Sequence, residues 1–363
     1  MKSIDAKPFF WTALAVTLAL TPACGQPSAD DGNPDDCVPL AKSDRAIPDN
    51  RYANCPIWQC GVNSAEVNEL TVGELHMRAG ENTGEINQWN AQMISFTAPD
   101  GSADYVLSFE NGRLSATDGA TTLTGEDLVD SRILIRNAED CTETDLRIHQ
   151  FGQATSWTDP SFTVDRYIFA YDDGVAPIEV PVCKEALELP DEGAWAVLVS
   201  GERYTWDEKT VLATGAQATG WFNIACHGNA LYKMKLMGYD PQPTEDNPHV
   251  TTPEQRQSAI KMVTGDYCGT GTSYTETGTP LRWVNTEGWS ENVENFEVPF
   301  DPLNSQLEAL WNEDGALCLD NLRRPDVEYA DVIEECSNAG KDLGACVDYT
   351  GPYEWETSTP PLI

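Results

Sequence analysis

Basic residues are scarce in this chain: 22 Lys and Arg stand against 59 Asp and Glu, a formal charge of −37 over 363 residues. A surface of that sign repels phosphate backbones, and no Lys/Arg cluster interrupts it, so nucleic acid is excluded as a partner. Histidine is also rare. His76, His149, His227 and His249 show no H-E-x-x-H and no other close spacing, so no metal site is expected. No C-x-x-C motif occurs: Cys55 and Cys60 are four residues apart in their interval, which removes thioredoxin-like redox chemistry. No G-x-S-x-G nucleophile elbow occurs either, since Gly269-Thr270-Gly271 lacks the serine. The apolar run from Phe9 to Leu20 is too short to span a membrane as a helix.

That run has another use. Lys2 and Lys7 precede it, and Leu20-Thr21-Pro22-Ala23-Cys24 follows, with a small residue directly before a cysteine. Residues 1–23 therefore read as a lipoprotein-type signal peptide, with Cys24 the lipidated new N-terminus and the membrane a partner through that anchor. Ordinary secretory cleavage after Ala23 is the alternative and would give a secreted soluble protein. Gly25 stands where an Asp would favour inner-membrane retention, so the outer membrane is the expected location. Residues 24–36 are polar, acidic and rich in Pro and Gly, a flexible tether. Their aspartates lack the spacing and the closing Glu of a calcium loop. Eleven cysteines leave one thiol to explain. With Cys24 lipidated, ten remain for disulfides in an oxidising compartment.

With 40% hydrophobic residues, 11 Trp, 12 Tyr and 10 Phe, the chain has the material for a large core. Residues 37–215 read as β-rich. Runs such as Tyr105-Val106-Leu107-Ser108-Phe109, Arg132-Ile133-Leu134-Ile135-Arg136 and Tyr167-Ile168-Phe169-Ala170-Tyr171 are separated by Asn-Gly and Asp-Gly turns, the signature of hairpins and a meander. Residues 216–350 read as a mixed region with short helices. Ile224, Gly228, Leu231 and Met234 fall at helical spacing. Thr252-Pro253-Glu254-Gln255 combines an N-cap, a proline at the first helical position and a capping box, opening a helix that Gly265 ends. A short helix is expected over Gln306–Trp311 and an acidic one over Val327–Cys336. Residues 351–363 read as a loose C-terminal tail. The fold class is α+β and disulfide-stapled.

Cys226, Cys268, Cys336, Cys346, Cys55 and Cys60 are the structural disulfide candidates. Cys226 with Cys268 is the favoured pair, and closing that loop would stabilise the chain by roughly 4 kcal/mol. A rival reading makes Cys226 or Cys268 a nucleophile with His227 as base and Asp266 as orienter; an exported thiol with so many partners is more often oxidised. Trp283, Trp289, Phe296 and Phe300 either line a groove for glycan or peptide, or pin loops onto the core.

Several pieces then converge: Ala213-Thr214-Gly215, Gly220-Trp221-Phe222-Asn223-Ile224-Ala225-Cys226, Ala230-Leu231 with Lys233, Gln255-Arg256-Gln257, Gly265-Asp266-Tyr267-Cys268-Gly269, Gly278-Thr279-Pro280-Leu281 and Cys318-Leu319-Asp320. In order and spacing they resemble the ADYC-domain family, predicted lipoproteins found chiefly in myxobacteria, over roughly Cys55 to Cys346. Gly265 replaces the Ala of the name motif. The resemblance implies a surface lipoprotein and no catalytic residue or cofactor. The expected function is a binding or structural surface module of the cell envelope, with a protein or glycan ligand left open. The alternative is an extracellular hydrolase with its site near Cys226, His227 and Asp266.

Overall fold

The computed structural model describes residues 37, 39, 61–77, 84–110, 112–174, 179–183, 193–242, 249–276, 279–289, 291–294 and 305–360. The signal peptide, Cys24, the tether, Cys55, Cys60, Phe296 and Phe300 lie outside these residues. The chain divides into residues 1–37 and 38–363, and the architecture below is that of the second unit.

Its first half is almost entirely strand. A small hairpin, β1 (Glu66–Val67) and β2 (Leu70–Thr71), leads into β3 (Glu74–His76) and β4 (Ala91–Thr97). A three-stranded sheet follows: β5 (Val106–Glu110), β6 (Arg113–Thr117) and β7 (Thr122–Thr124). Then come β8 (Arg132–Asn137), β9 (Glu143–Thr155), β10 (Thr163–Tyr171), β11 (Val180–Pro181) and β12 (Ala196–Ser200). The hairpin β13 (Glu202–Tyr204) and β14 (Val211–Thr214) precedes β15 (Trp221–Cys226). Strands β3-β15-β12-β10-β9-β8-β4 form one antiparallel sheet in that order, with β11 on the flank of β10. The sheet curls until its two edge strands meet. Asn87 ties them: its side-chain amide donates to Glu74 O at 2.6 Å, and its Oδ1 accepts from Ala91 N at 2.9 Å.

The second half carries three helices, α1 (Ala230–Leu236), α2 (Pro253–Thr264) and α3 (Tyr329–Asn338). It also forms a second antiparallel sheet from β16 (Leu281–Asn285), β17 (Glu291–Glu294), β18 (Gln306–Asn312), β19 (Gly315–Leu319) and β20 (Trp355–Thr359), ordered β17-β16-β20-β18-β19. Among the described residues two large hydrophobic cores result, with β12 and β15 between them, and a small third cluster gathers around Cys318 and Cys346. Ala196, Leu198, Phe222, Ile224 and Cys226 face the inside of the curled sheet. Val197, Val199 and Ala225 face α1, α2 and the second sheet. Burial on both faces is why these strands read as unbroken apolar runs instead of alternating ones.

Three expectations are corrected here. Trp221–Cys226 is a strand and the helix starts only at Ala230. Gly220 (φ 83°) and Gly228 (φ 86°) bound that strand with turns that an L side chain rarely adopts. At Gly220, moreover, a Cβ would stand 2.6 Å from His76 Nε2. Gln306–Asn312 is likewise a strand, not a helix. Bulges at Leu307/Ala309 and Leu310/Trp311 break its two-residue alternation, and Leu307 and Leu310 then imitate helical spacing. Finally, the supposed tail holds β20, the middle strand of the second sheet, with Trp355 and Thr357 fully buried. Its polar sequence hides this, because its hydroxyls are satisfied internally: Trp311 Nε1 donates to Thr357 Oγ1 at 2.8 Å.

Candidate functional site

The segment Gly265–Gly269 sits where α2 ends against β18, β19 and α3. Thr252 and Gln255 close the capping box at the start of α2, and Gly265 ends the helix in the left-handed conformation (φ 64°, ψ 34°). The chain then turns back under the helix. Asp266 is fully buried and accepts from Lys261 Nζ at 2.7 Å and from Gly271 N at 2.9 Å. The Lys261 ammonium uses its three protons on Asp266, Glu208 O (2.5 Å) and Gly269 O (3.0 Å), which is what a buried cation requires.

Tyr267 is fully buried too. Its hydroxyl donates to Glu308 Oε1 at 2.5 Å and its ring stacks on Trp311 at 5.2 Å. Burial first, and then the Glu308 charge, hold its proton on well beyond the usual phenol range. Glu308 is the extra residue of the first β18 bulge, which turns its carboxylate inward to Arg323 at 2.6 and 3.1 Å, both side chains at 0% exposure. Gly269 (φ 77°) passes so close to the β18–β19 turn that a Cβ would stand 2.3 Å from Asp314 O. Glu335 of α3 accepts from the Tyr274 hydroxyl and from Thr270 Oγ1 at 3.0 Å. Beside this cluster, Lys341 donates to Asp314 O at 2.5 Å; burial, the largest influence, brings its amine down to about 8. Every polar atom engaged here ties one element to another.

The cysteines do the same. Cys268 is bonded to Cys336 of α3, Cys226 to Cys183, and Cys318 to Cys346; Cys37 and Cys141 are also disulfide-bonded. The expected Cys226–Cys268 bond is therefore wrong. Cys226 points into the core of the curled sheet, whereas Cys268 belongs to the core beneath the helices. Cys336 and Cys346 both lie in disulfides, with different partners. The hydrolase set is not assembled either. Cys226 has no thiol, the His227 ring packs edge-on against Tyr232 at 4.9 Å, and Asp266 is committed to Lys261. Trp283 is 1% exposed, and Trp289 is stacked between His249 (4.0 Å) and Tyr239 (4.9 Å), so both pin structure. Among the described residues no three His, Cys, Asp or Glu side chains converge as a metal set.

One feature was not read from the sequence. On the outer face of the first sheet lies a concavity of about 580 Å³, with Arg147, His149, Gln150 and Glu179 on its polar side and Ile168 and Pro181 on its apolar side. A bulge opposite Ile168/Phe169 makes His149 the extra residue of β9. Arg147 lies 3.3 Å from Asp130, 2.5 Å from Glu179 and 2.6 Å from His149 Nδ1. The alternation Arg147, His149 along a strand was the available signal.

The architecture defines a class: a disulfide-stapled α+β protein whose most distinctive motif is an internal clamp. A family model described as the ADYC domain matches residues 125–325, and the chain belongs to that family. The match begins before β8, so it takes in much of the curled sheet, and it lies within the Cys55–Cys346 span of the resemblance. No curated protein and no solved structure matches the chain.

Proposed function

We propose that this protein is exported, anchored to the outer membrane through a lipid on Cys24, and serves there as a binding or structural surface module. The observation that carries the reading is the inward use of the family motif. Asp266, Tyr267 and Cys268 are spent on Lys261, Glu308 and Cys336. A motif used in this way maintains a scaffold, and activity then resides on its surface. The disulfides belong to an oxidising, non-cytoplasmic compartment. The net charge of −37 suits an exposed, soluble surface. No helix among the described residues is long and apolar enough to cross a membrane.

The test is an intact mass from membrane fractions, with free thiols alkylated before any reduction. A mass carrying lipid at Cys24 and no alkyl group is the expected result. A chain beginning at Cys24 without lipid would make the protein secreted and soluble. An alkylated Cys226 or Cys268 would return the extracellular hydrolase to first place.

A further inference from the structure

The concavity on the outer face of β9, β10 and β11 is built by an irregularity in the sheet. In a regular strand the Gln150 side chain would point to the face opposite that of His149. The bulge opposite Ile168/Phe169 adds one residue to β9, so His149 and Gln150 are both exposed on the outer face, where with Arg147 they line the concavity. Its volume of about 580 Å³ lies within the usual range for small-molecule pockets. The hydrogen-bonding character of the lining selects the ligand. Arg147 and Glu179 meet at 2.5 Å and spend their charges on each other. Side by side they still present a group that only donates and a group that only accepts. The Gln150 amide does both, and His149 meets Arg147 and Glu179 through Nδ1, which leaves Nε2 for a further bond. An ammonium only donates and a carboxylate only accepts, so each matches half of this wall. A hydroxyl does both, and neighbouring hydroxyls on one ring can meet Arg147 and Glu179 together. Ile168, Ala170, Pro181 and Ala194 give the concavity an aliphatic side that suits the C–H face of such a ring. A peptide strand is the poorer fit, because β9 and β10 are each paired with strands on both sides and offer no free edge.

We infer that this concavity binds a neutral sugar, with Arg147, His149, Gln150 and Glu179 on its hydroxyls and Ile168 and Pro181 against its ring. The inference rests on the binding-module reading and deepens it by giving it a site and a ligand class. The full exported chain is applied to an array of neutral, amino and acidic glycans, and the neutral glycan retained best is then titrated by calorimetry. Neutral glycans are expected to be retained above counterparts that carry an amine or a carboxylate on the same ring. Gln150→Ala should weaken the titrated binding roughly threefold to tenfold, the scale of one neutral hydrogen bond, while Ile168→Trp fills the concavity and abolishes binding. Circular dichroism and a melting curve confirm that each variant is folded. Retention of no neutral glycan, charged glycans retained at least as well, or binding unmoved in Gln150→Ala or in Ile168→Trp would overturn the inference. None of these results bears on the mass of the N-terminus, so the surface-module reading stands or falls separately.

Discussion

Replacing Arg323 by Met should be among the most damaging single changes to this protein. Arg323 and Glu308 are both fully buried and meet at 2.6 and 3.1 Å, with Tyr267 donating a further bond to the same carboxylate. In Arg323→Met the Glu308 carboxylate stays in the core with a single phenolic donor. Removing one member of a buried pair costs about 3–5 kcal/mol, because the charge left behind is uncompensated. At about 2–4 °C of Tm for each kcal/mol, a fall of roughly 6–20 °C is expected. Urea unfolding under non-reducing conditions should show the same loss with little change in slope. The double variant Glu308→Met/Arg323→Met supplies the control. It removes both charges and keeps apolar volume beside Trp311, so it should recover most of the loss and can exceed the wild type by about 1–4 kcal/mol. A single variant that loses less than about 1 kcal/mol, within the range of an exposed pair, would refute the reasoning. So would a double variant as unstable as the single one, since the damage would then come from packing and not from a stranded charge.

Gly269→Ala should cost more than about 2 kcal/mol, read by melting temperature, because a Cβ would collide with Asp314 O at 2.3 Å from a left-handed backbone. Gly344→Ala, where a Cβ meets nothing within 4 Å, should be nearly silent. Cys268→Ser/Cys336→Ser opens a loop of 68 residues and should lose roughly 4 kcal/mol in urea. Glu74 tests the electrostatics of the curled sheet. Burial raises its carboxyl above the usual range, more than the bidentate Arg203 bond at 2.9 Å lowers it. The folded state thus keeps this proton at pH values where the unfolded chain has released it. The stability contributed by Glu74 is full below the ordinary carboxylate range and is lost as pH rises through the raised value. Subtracting the pH–stability profile of Glu74→Gln from that of the wild type should therefore leave a difference that falls as pH rises above the ordinary carboxylate range. A difference that rises with pH would show that the Arg203 pairing outweighs burial.

Local signals were read well where the physics is local. The capping box at Thr252 and the Gly265 stop need only neighbouring residues, and the helix between them is where those residues put it. The hairpins around Asp-Gly and Asn-Gly turns and the helix ending near Cys336 follow the same rule. Where a residue's role depends on a distant partner, the pattern misled. The β18 bulges made a strand look helical, and β20 looked like a tail because a polar strand in the middle of a sheet is legible only through the partners that satisfy it.

The candidate site divides in the same way. The residues Gly265 to Gly269 stood out as a family motif, yet nothing in their order says that Asp266 meets Lys261, that Tyr267 meets Glu308, or that Cys268 joins Cys336 and not Cys226. Ten cysteines admit hundreds of pairings, and only the placement of side chains in one core or the other selects among them. By itself the sequence determined an acidic, cysteine-rich chain of the ADYC family, rich in strands and hairpins and bearing short capped helices, because composition, turn chemistry and capping act between near neighbours. Only the tertiary structure decided the disulfide map, the buried ion pairs and the concavity beside Arg147. Each of these is an agreement in space between residues from separate parts of the chain.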